Sequence, residues 1–380
     1  MFLKIFRRFF YEIHLWLGII SGIAVFLVCL SGTILVFRDE INRLANPGKF
    51  YVSVPVGAKK LPIDDIIAKV EAENQGKKIT SMTIPEQANR TLIVMLSQPM
   101  RSGERREGRP RGGHGFGQIV CVNPYTGETV ANGGEGTPNL DRFFMSMLQL
   151  HRNLWISYKL ESFGPRATFG GLIVGIATII FVIVVLSGFV LWLPRTWKAF
   201  TLWKAWKPGF LIRVRKGFWL FLYDIHNTAG FYMLIPLLIF ALTGLCWSFG
   251  WYRDAASYLL GDQVFKQRMM RPEKIEPVDK TMQPYSVGEI IERQNKLTPG
   301  YGEMIVSIPT DRETALVIQK GRTGFFALSI KDKTQWDRFR GMPIPVEHFG
   351  KTAVVERFAD KPFGAKIAAT IRTLHFGDVT

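Results

Sequence analysis

The sequence predicts a multi-pass α-helical membrane protein with two extracytoplasmic α+β domains and an internal duplication. Three stretches, 15–37, 168–194 and 225–252, contain no Asp, Glu, Lys or Arg. Each exceeds the roughly 20 residues that cross a bilayer as a helix. A four-residue motif also occurs twice, since Tyr11–His14 reads YEIH and Tyr223–His226 reads YDIH. The apolar stretches predict three membrane helices, and the repeated motif predicts the duplication.

The basic residues predict the orientation of these helices. Three of them precede the first apolar stretch, and 195–218 carries seven with no acidic residue. The positive-inside rule places both segments in the cytoplasm, so 38–167 and 253–374 lie outside. Much of the net charge of +17 then has a topological origin and requires no nucleic-acid partner. The N-terminal stretch is too long for a signal peptide, so we interpret it as an uncleaved anchor.

These features divide the chain into seven segments. The predicted segments are a first transmembrane helix with a cytoplasmic N-terminus (1–38), a first extracytoplasmic domain (39–165), a second transmembrane helix (166–194), a basic cytoplasmic loop (195–218), a third transmembrane helix (219–252), a second extracytoplasmic domain (253–373) and the start of a truncated fourth helix (374–380).

Both outer domains have the pattern of one helix followed by antiparallel strands. The predicted elements are a helix at 61–73, strands at 91–97 and 117–123 and a turn at 124–127 in the first domain, and a helix at 285–294 with strands at 304–309, 314–320 and 325–330 in the second.

The Gly- and Arg-rich segment 101–117 is predicted to be a solvated loop, in preference to an anion-attracting lip. His114 within it is interpreted as incidental. The three cysteines form no evident disulfide framework, and there is no CxxCH or CxxC motif.

The spacing of histidine and glycine points to flat cofactors within the membrane helices. Gly32 follows His14 by 18 residues, and Gly244 follows His226 by the same number. Eighteen residues make five helical turns, so each pair shares a face at roughly 27 Å separation. Gly18 and Gly230, at i+4 from the histidines, would leave room for a porphyrin edge. The alternative is that these glycines are helix-packing sites of the small-xxx-small type.

Four of the six histidines lie near predicted membrane boundaries. His14 and His226 are on the cytoplasmic side, at the same depth of helices that run in the same direction, which favours their pairing. Imidazole is the usual axial ligand of b-type haem, and an electron-transfer haem takes two. For His151 and His375, on the outer side, the residues alone leave ligation and an interfacial position equally open. His348 is interpreted as a surface residue.

Several motifs together resemble the PepSY-associated transmembrane family. They are the His14 opening of the first helix, NPYTGE (123–128), LQLHRNLW (148–155), YDIHNTAG (223–230), YSVGEII (285–291) and LHFGD (374–378). The family includes bacterial inner-membrane siderophore reductases of the FoxB type, which carry two b-type haems. The outer domains would then be PepSY-like. Family chains continue from LHxG into a fourth span, whereas this sequence stops at Thr380.

The resemblance implies a set of cofactor-binding residues. It implies a cytoplasmic-side haem on His14 and His226 and a periplasmic-side haem on His151 and His375, with Gly18 and Gly230 beside the first and Gly32 and Gly244 beside the second. Arg152 and Arg372 lie close enough in sequence to His151 and His375 to pair with haem propionates. Snorkelling interfacial arginines are an equally good interpretation. No catalytic acid, base or nucleophile is identified.

Three functions are compatible with the sequence. The favoured one is a haem-dependent oxidoreductase of the bacterial inner membrane that reduces a ferric siderophore, with the hydroxamate type as one option. Its electron donor would be a quinol or a cytoplasmic reductase. Siderophores bind Fe(III) through hard oxygen donors, so one-electron reduction loosens the metal. The alternatives are a non-enzymatic PepSY-type regulatory or binding protein and a component of a siderophore transporter. Against the transporter, the spans contain almost no charged residues, and three helices are few for an alternating-access pathway.

Overall fold

The computed structural model describes residues 2–97, 118–132, 138–160, 167–214, 217–265, 272–277, 279, 281–300, 302–323 and 329–377. They belong to two compact units. The membrane unit comprises residues 1–37, 143–259 and 374–377, and the sheet unit comprises 38–142, 260–373 and 378–380.

Helices dominate the membrane unit and strands dominate the sheet unit. The α-helices are α1 (Phe2–Val36), α2 (Arg38–Ala45), α3 (Pro47–Phe50), α4 (Ile63–Glu73), α5 (Pro138–Asn153), α6 (Phe169–Trp192), α7 (Trp203–Trp206), α8 (Phe218–Ser248), α9 (Gly250–Leu260), α10 (Val287–Leu297) and α11 (Phe363–Phe376). The strands are β1 (Ile79–Pro85), β2 (Leu92–Leu96), β3 (Gln118–Val122), β4 (Thr129–Asn132), β5 (Glu303–Ser307), β6 (Leu316–Thr323), β7 (Ser329–Asp337), β8 (Met342–Pro343), β9 (Val346–His348) and β10 (Lys351–Ala353).

In the described part of the chain, three helices are long and apolar enough to cross a membrane. They are α1, α6 and α8, and each overlaps one of the predicted apolar stretches. Helix α6 packs against both α1 and α8. Thr168 begins α6 as its N-cap, where its hydroxyl accepts a hydrogen bond from the Gly171 backbone N–H. Helix α8 ends at Ser248 because Phe249 has an extended backbone conformation.

Arg7 of α1 closes the C-terminal end of α6. Its guanidinium donates hydrogen bonds to the carbonyl oxygens of Val190, Leu191 and Leu193 at 3.3, 2.5 and 2.9 Å. The last carbonyls of a helix have no partner within the helix, and a cation near them also complements the helix dipole. The contact shows that the N-terminal part of α1 lies beside the C-terminal end of α6, so the two helices are antiparallel.

The sheet unit contains one continuous eight-stranded antiparallel sheet, in the order β4-β3-β2-β1-β5-β6-β7-β8. The first four strands come from the first predicted outer domain and the last four from the second. Strands β1 and β5 join the two halves, with Met82 opposite Val306 and Ile84 opposite Met304. Helices α4 and α10 bury their apolar residues in the same core as these strands. The two predicted α+β regions therefore share a single sheet and a single core.

A polar contact also links the two halves. Asp64 of α4 accepts hydrogen bonds from the Ser286 hydroxyl at 2.7 Å and from the Gly288 backbone N–H at 3.0 Å. Ser286 caps α10 and forms a capping box with Glu289. The carboxylate of one half thus satisfies a free N–H in the first turn of a helix in the other half.

Most predicted elements of the sheet unit lie within two or three residues of the observed ones. Several observed elements were not predicted, among them strands β1, β4 and β8 to β10 and helices α2, α3, α7 and α9. The loop 101–117, with His114, lies outside the described residues, as does 325–328 of one predicted strand. One prediction needs correction. Residues 374–376, expected to start a fourth membrane helix, form the last turn of α11, and Gly377 ends that helix with a φ of +67°.

Candidate functional site

The two histidines of the repeated motif lie close together in the membrane unit. His14 lies on α1 and His226 on α8, and their ring centroids are 5.9 Å apart with an angle of 64° between the ring planes. We call them the first histidine pair. His14 is half-buried, whereas His226 is exposed and makes no hydrogen bond with any described residue.

The tautomer of His14 follows from its hydrogen bonds to α6. Its Nδ1 lies 3.0 Å from the Val184 carbonyl oxygen and 3.2 Å from the Ser187 hydroxyl. A carbonyl oxygen can only accept, so Nδ1 carries the proton and the neutral ring has its lone pair on Nε2. Gly188 leaves room for the His14 ring against α6, because a Cβ there would lie only 2.9 Å from the His14 Cε1. His14 is therefore held with Nε2 available as a ligand.

The second histidine pair consists of His151 on α5 and His375 on α11. Their ring centroids are 6.0 Å apart with an angle of 54° between the planes. His151 donates from Nδ1 to the Val28 carbonyl oxygen of α1 at 2.9 Å. A Cβ at Gly32 would lie 2.9 Å from the His151 Cε1. His151 is thus bound to α1 in the way that His14 is bound to α6.

His375 rests on α8 in a similar arrangement. Its Nδ1 lies 3.1 Å from the Thr243 hydroxyl, whose own proton goes to the Ile239 carbonyl oxygen at 2.6 Å. The hydroxyl can therefore only accept from Nδ1, which again leaves the lone pair on Nε2. A Cβ at Gly244 would lie 3.2 Å from the His375 Cε1. The Trp247 ring stacks on His375 with centroids 4.8 Å apart.

Burial keeps the second pair in the neutral form that binds metals. His151 and His375 lie on helices outside the three candidate spans. Burial lowers the pKa of His151 and lowers the pKa of His375 to about 4, the latter helped by the neighbouring His151. The cause is that an imidazolium loses its hydration in apolar surroundings. Both rings are then neutral at physiological pH, which is the state required of a metal ligand.

The geometry of both pairs fits axial ligation of a haem. A metal ion bound at about 2.0 Å by the Nε2 atoms of two opposed imidazoles separates the ring centres by roughly 6 Å. The observed separations are 5.9 and 6.0 Å. Among the described residues, no group of three or more His, Cys, Asp or Glu could hold a metal by itself. Two ligands suit a metal whose other ligands belong to a porphyrin, and zinc sites use three or four protein ligands.

The predicted glycines fall into two classes. No atom of the described residues lies within 4 Å of the position that a Cβ would take at Gly18 or at Gly230. Both therefore border open space near the first pair. Gly32 and Gly244 instead contact the rings of the second pair, so the clearance they provide is occupied by imidazole. Gly170, which precedes Gly188 by 18 residues on α6, packs against the backbone of Asn153 and Ile156.

The two predicted arginines are exposed and lie close in sequence to the second pair. Arg152 directly follows His151 and is exposed. Arg372 is also exposed, one turn before His375 on α11, in the part of that helix that belongs to the sheet unit. Their role as partners of haem propionates stays a prediction. His348 lies in β9, and we assign it no role.

Sequence reasoning missed two groups of residues near the first pair. Ser187 precedes Gly188 in one of the three Leu-Ser/Thr-Gly sequences of the chain, at 30–32, 186–188 and 242–244, and this repeat could have revealed it. Asp224, two residues before His226, is buried and forms a bidentate ion pair with Arg213 at 2.6 and 2.7 Å. Through that pair, the connector between α6 and α8 is attached to α8.

Comparisons with known proteins agree with the motifs. A search of curated proteins gives no match. The family model described as the PepSY-associated TM region matches residues 11–380, which include all four paired histidines. The chain therefore belongs to the PepSY-associated transmembrane family.

Proposed function

We propose that this protein is a membrane oxidoreductase that holds one b-type haem at each histidine pair and passes electrons across the membrane to a ferric siderophore. The observation that carries the proposal is the separation of the two rings in each pair, 5.9 and 6.0 Å between centroids, with three of the four rings oriented through Nδ1. The pairs lie at opposite ends of α1, because His14 and the Val28 carbonyl that binds His151 are roughly 21 Å apart along the helix. Two centres at these depths would bridge most of the hydrocarbon core.

The residues of the chain have defined tasks in this function. Helices α1 and α8 supply the ligands of the first centre, and α5 and α11 supply those of the second. A bound haem would contribute reversible one-electron chemistry between ferric and ferrous iron. The Nδ1 hydrogen bonds hold His14, His151 and His375 each in one tautomer, and the apolar helices exclude water. No general acid or nucleophile is needed, because the reaction transfers only an electron.

The acceptor is assigned by chemistry and topology. The positive-inside rule places the second pair and the sheet unit's segments on the outer, periplasmic side of a bacterial inner membrane. Hard oxygen donors of a siderophore, such as hydroxamates, hold Fe(III) far better than Fe(II). One electron delivered on that side would therefore release the iron as Fe(II). The donor on the inner side would be a quinol or a cytoplasmic reductase.

The decisive experiment is the absorbance spectrum of the purified protein after expression with ample haem. We expect a b-type spectrum with two haems per chain. His14→Ala/His226→Ala and His151→Ala/His375→Ala should each lose about half of the absorbance, because each removes both axial ligands of one centre. His348→Ala is the matched control and should keep both haems. A colourless wild-type protein would contradict the proposal and favour a non-enzymatic binding protein.

Activity is tested separately. Protein reduced chemically without oxygen should be reoxidised by a ferric hydroxamate, and Fe(II) should appear in a ferrous-specific chelator with one iron per electron. Reoxidation should be lost in the His151→Ala/His375→Ala variant. Haem-loaded protein that no ferric siderophore reoxidises would retain the cofactor assignment but exclude this acceptor.

A further inference from the structure

Three helices of the membrane unit present the same set of groups to a histidine of another helix. Each set consists of a backbone carbonyl at position i, a hydroxyl side chain at i+3 and a glycine at i+4. We call each set a cradle. The cradles are Val184, Ser187 and Gly188 of α6 for His14; Val28, Ser31 and Gly32 of α1 for His151; and Phe240, Thr243 and Gly244 of α8 for His375.

Helix geometry explains why the three positions act together. Residues i, i+3 and i+4 lie on one face of an α-helix, one turn apart. The carbonyl at i points toward residue i+4, so a side chain there would cover it. Glycine leaves the carbonyl open, and the histidine ring fills the vacated space with its Cε1 edge. A Cβ would lie 2.9 Å from that edge at Gly188 and Gly32, and 3.2 Å at Gly244.

The hydroxyl at i+3 shares the hydrogen-bonding capacity of this carbonyl. Ser187 donates to the Val184 oxygen at 2.9 Å. Ser31 and Thr243 share their protons between two carbonyls: Ser31 donates to Leu27 at 2.7 Å and to Val28 at 3.1 Å, and Thr243 donates to Ile239 at 2.6 Å and to Phe240 at 3.2 Å. A carbonyl oxygen has two lone pairs, so the hydroxyl competes for them with the imidazole N–H. The hydroxyl therefore affects how strongly that N–H is polarised, and with it the basicity of Nε2.

We propose that Ser31, Ser187 and Thr243 are positioning residues, each of which orients one histidine and sets the strength of its Nε2 as a ligand. The inference rests on the proposed function, since it assumes a haem at each pair. The resemblance to the family assigns no role to these three hydroxyl residues. Ser187 acts on the first centre alone, whereas Ser31 and Thr243 act on opposite sides of the second.

The test is a redox titration of the haem-loaded protein, combined with electron paramagnetic resonance of the two ferric haems. The double histidine variants first identify which signal belongs to which centre. Ser187→Ala should then shift the midpoint potential and resonance of the first centre only. Ser31→Ala and Thr243→Val should shift those of the second only. Thr243→Ser, which keeps the hydroxyl, should restore the wild-type values.

Thr178→Val is the matched control. Thr178 lies on α6 and donates to the Val174 carbonyl oxygen at 2.7 Å, as the cradle residues do, but it makes no hydrogen bond with any of the paired histidines. It should leave both centres unchanged. Loss of haem from the assigned centre alone would also support the inference, because an unoriented ligand binds more weakly.

The result that would overturn the positioning role differs from the result that would overturn the proposed function. Fully loaded Ser187→Ala, Ser31→Ala and Thr243→Val proteins with potentials and resonances like those of Thr178→Val would overturn the positioning role. So would effects on the wrong centre. A wild-type protein without haem would instead overturn the proposed function itself.

Discussion

At the scale of single residues, glycine serves two purposes in the membrane unit. Gly32, Gly188 and Gly244 lie against histidine rings, whereas Gly18 and Gly230 border space that no described residue fills. Sequence spacing alone cannot separate these classes, because a missing side chain looks the same in both. Only the partner across the helix interface distinguishes them. The open glycines are the ones with room for a planar ligand.

Gly18→Leu tests that room directly. The larger side chain has no protein atom to clash with at its Cβ, and leucine is favourable in lipid, so the helix should still insert. It should lower the haem content of the first centre by occupying the space beside His14. The measurement is the haem-to-protein ratio of the purified variant.

Gly22→Leu is the control for this prediction. At Gly22, as at Gly18, no described atom lies within 4 Å of the position that a Cβ would take. Gly22 is two turns from His14 and about 80° away from it around the helix axis, whereas Gly18 is one turn and about 40° away. This variant should retain both haems. Equal haem content in the two variants would show that Gly18 has no special role.

At the scale of elements, α6 connects the other two long helices. It packs on both, carries the cradle for His14, and has its C-terminal carbonyls bound by Arg7. Its Trp192 stacks on Phe231 of α8 with ring centroids 3.9 Å apart. The cradle, the Arg7 contact and the Trp192 stack all lie toward the end of the bundle that holds the first pair. The end of the bundle that holds the first pair is therefore fixed by contacts that involve all three long helices.

Arg7→Ala should destabilise this end of the bundle. It leaves carbonyls at the end of α6 without their partner, and a hydrogen bond to a charged group contributes roughly 1.5–3 kcal/mol. We expect a lower thermal unfolding midpoint in detergent. The neighbouring exposed Arg8 gives the matched variant Arg8→Ala, which should change the midpoint little. Equal midpoints for both variants would argue against the capping role of Arg7.

The long helices could be predicted from the sequence, whereas their contacts could not. Apolar length decides whether a segment such as 168–194 spans a membrane, and length is visible in the sequence. Helical arithmetic also placed His14 and His226 at one depth. The acceptors of the His14 and His151 Nδ1 protons are backbone carbonyls of Val184 and Val28, a group which every residue possesses. Sequence could have indicated them only through the thrice-repeated Leu-Ser/Thr-Gly.

At the scale of the whole molecule, the duplication produces one sheet from two halves. The β1–β5 seam buries Met82, Met304 and Val306 completely in the common core. Strands β2, β3, β5 and β6 could be read from the sequence, but β1 and its pairing with β5 could not, because strand alternation does not specify a partner. An unpaired β1 edge would also have exposed backbone hydrogen-bonding groups.

Met82→Ala tests whether the two halves are one folding unit. Removing a buried methionine side chain costs about 2–5 kcal/mol. Amide hydrogen exchange followed by mass spectrometry should then speed up in β2 and in β6 together. Ile119→Ala, on the exposed side of β3, should leave both protected. Faster exchange confined to the first half would show that the halves unfold independently.

The cradles have a consequence for the assembly of the protein. None of the three cradled histidines lies on the helix that holds it: α1 presents His14 to α6, α5 presents His151 to α1, and α11 presents His375 to α8. A histidine whose helix has not yet packed against the neighbouring cradle thus offers only a freely rotating imidazole. With a haem bound at each pair, as proposed, cofactor binding would select chains whose helices have docked over chains whose helices have not.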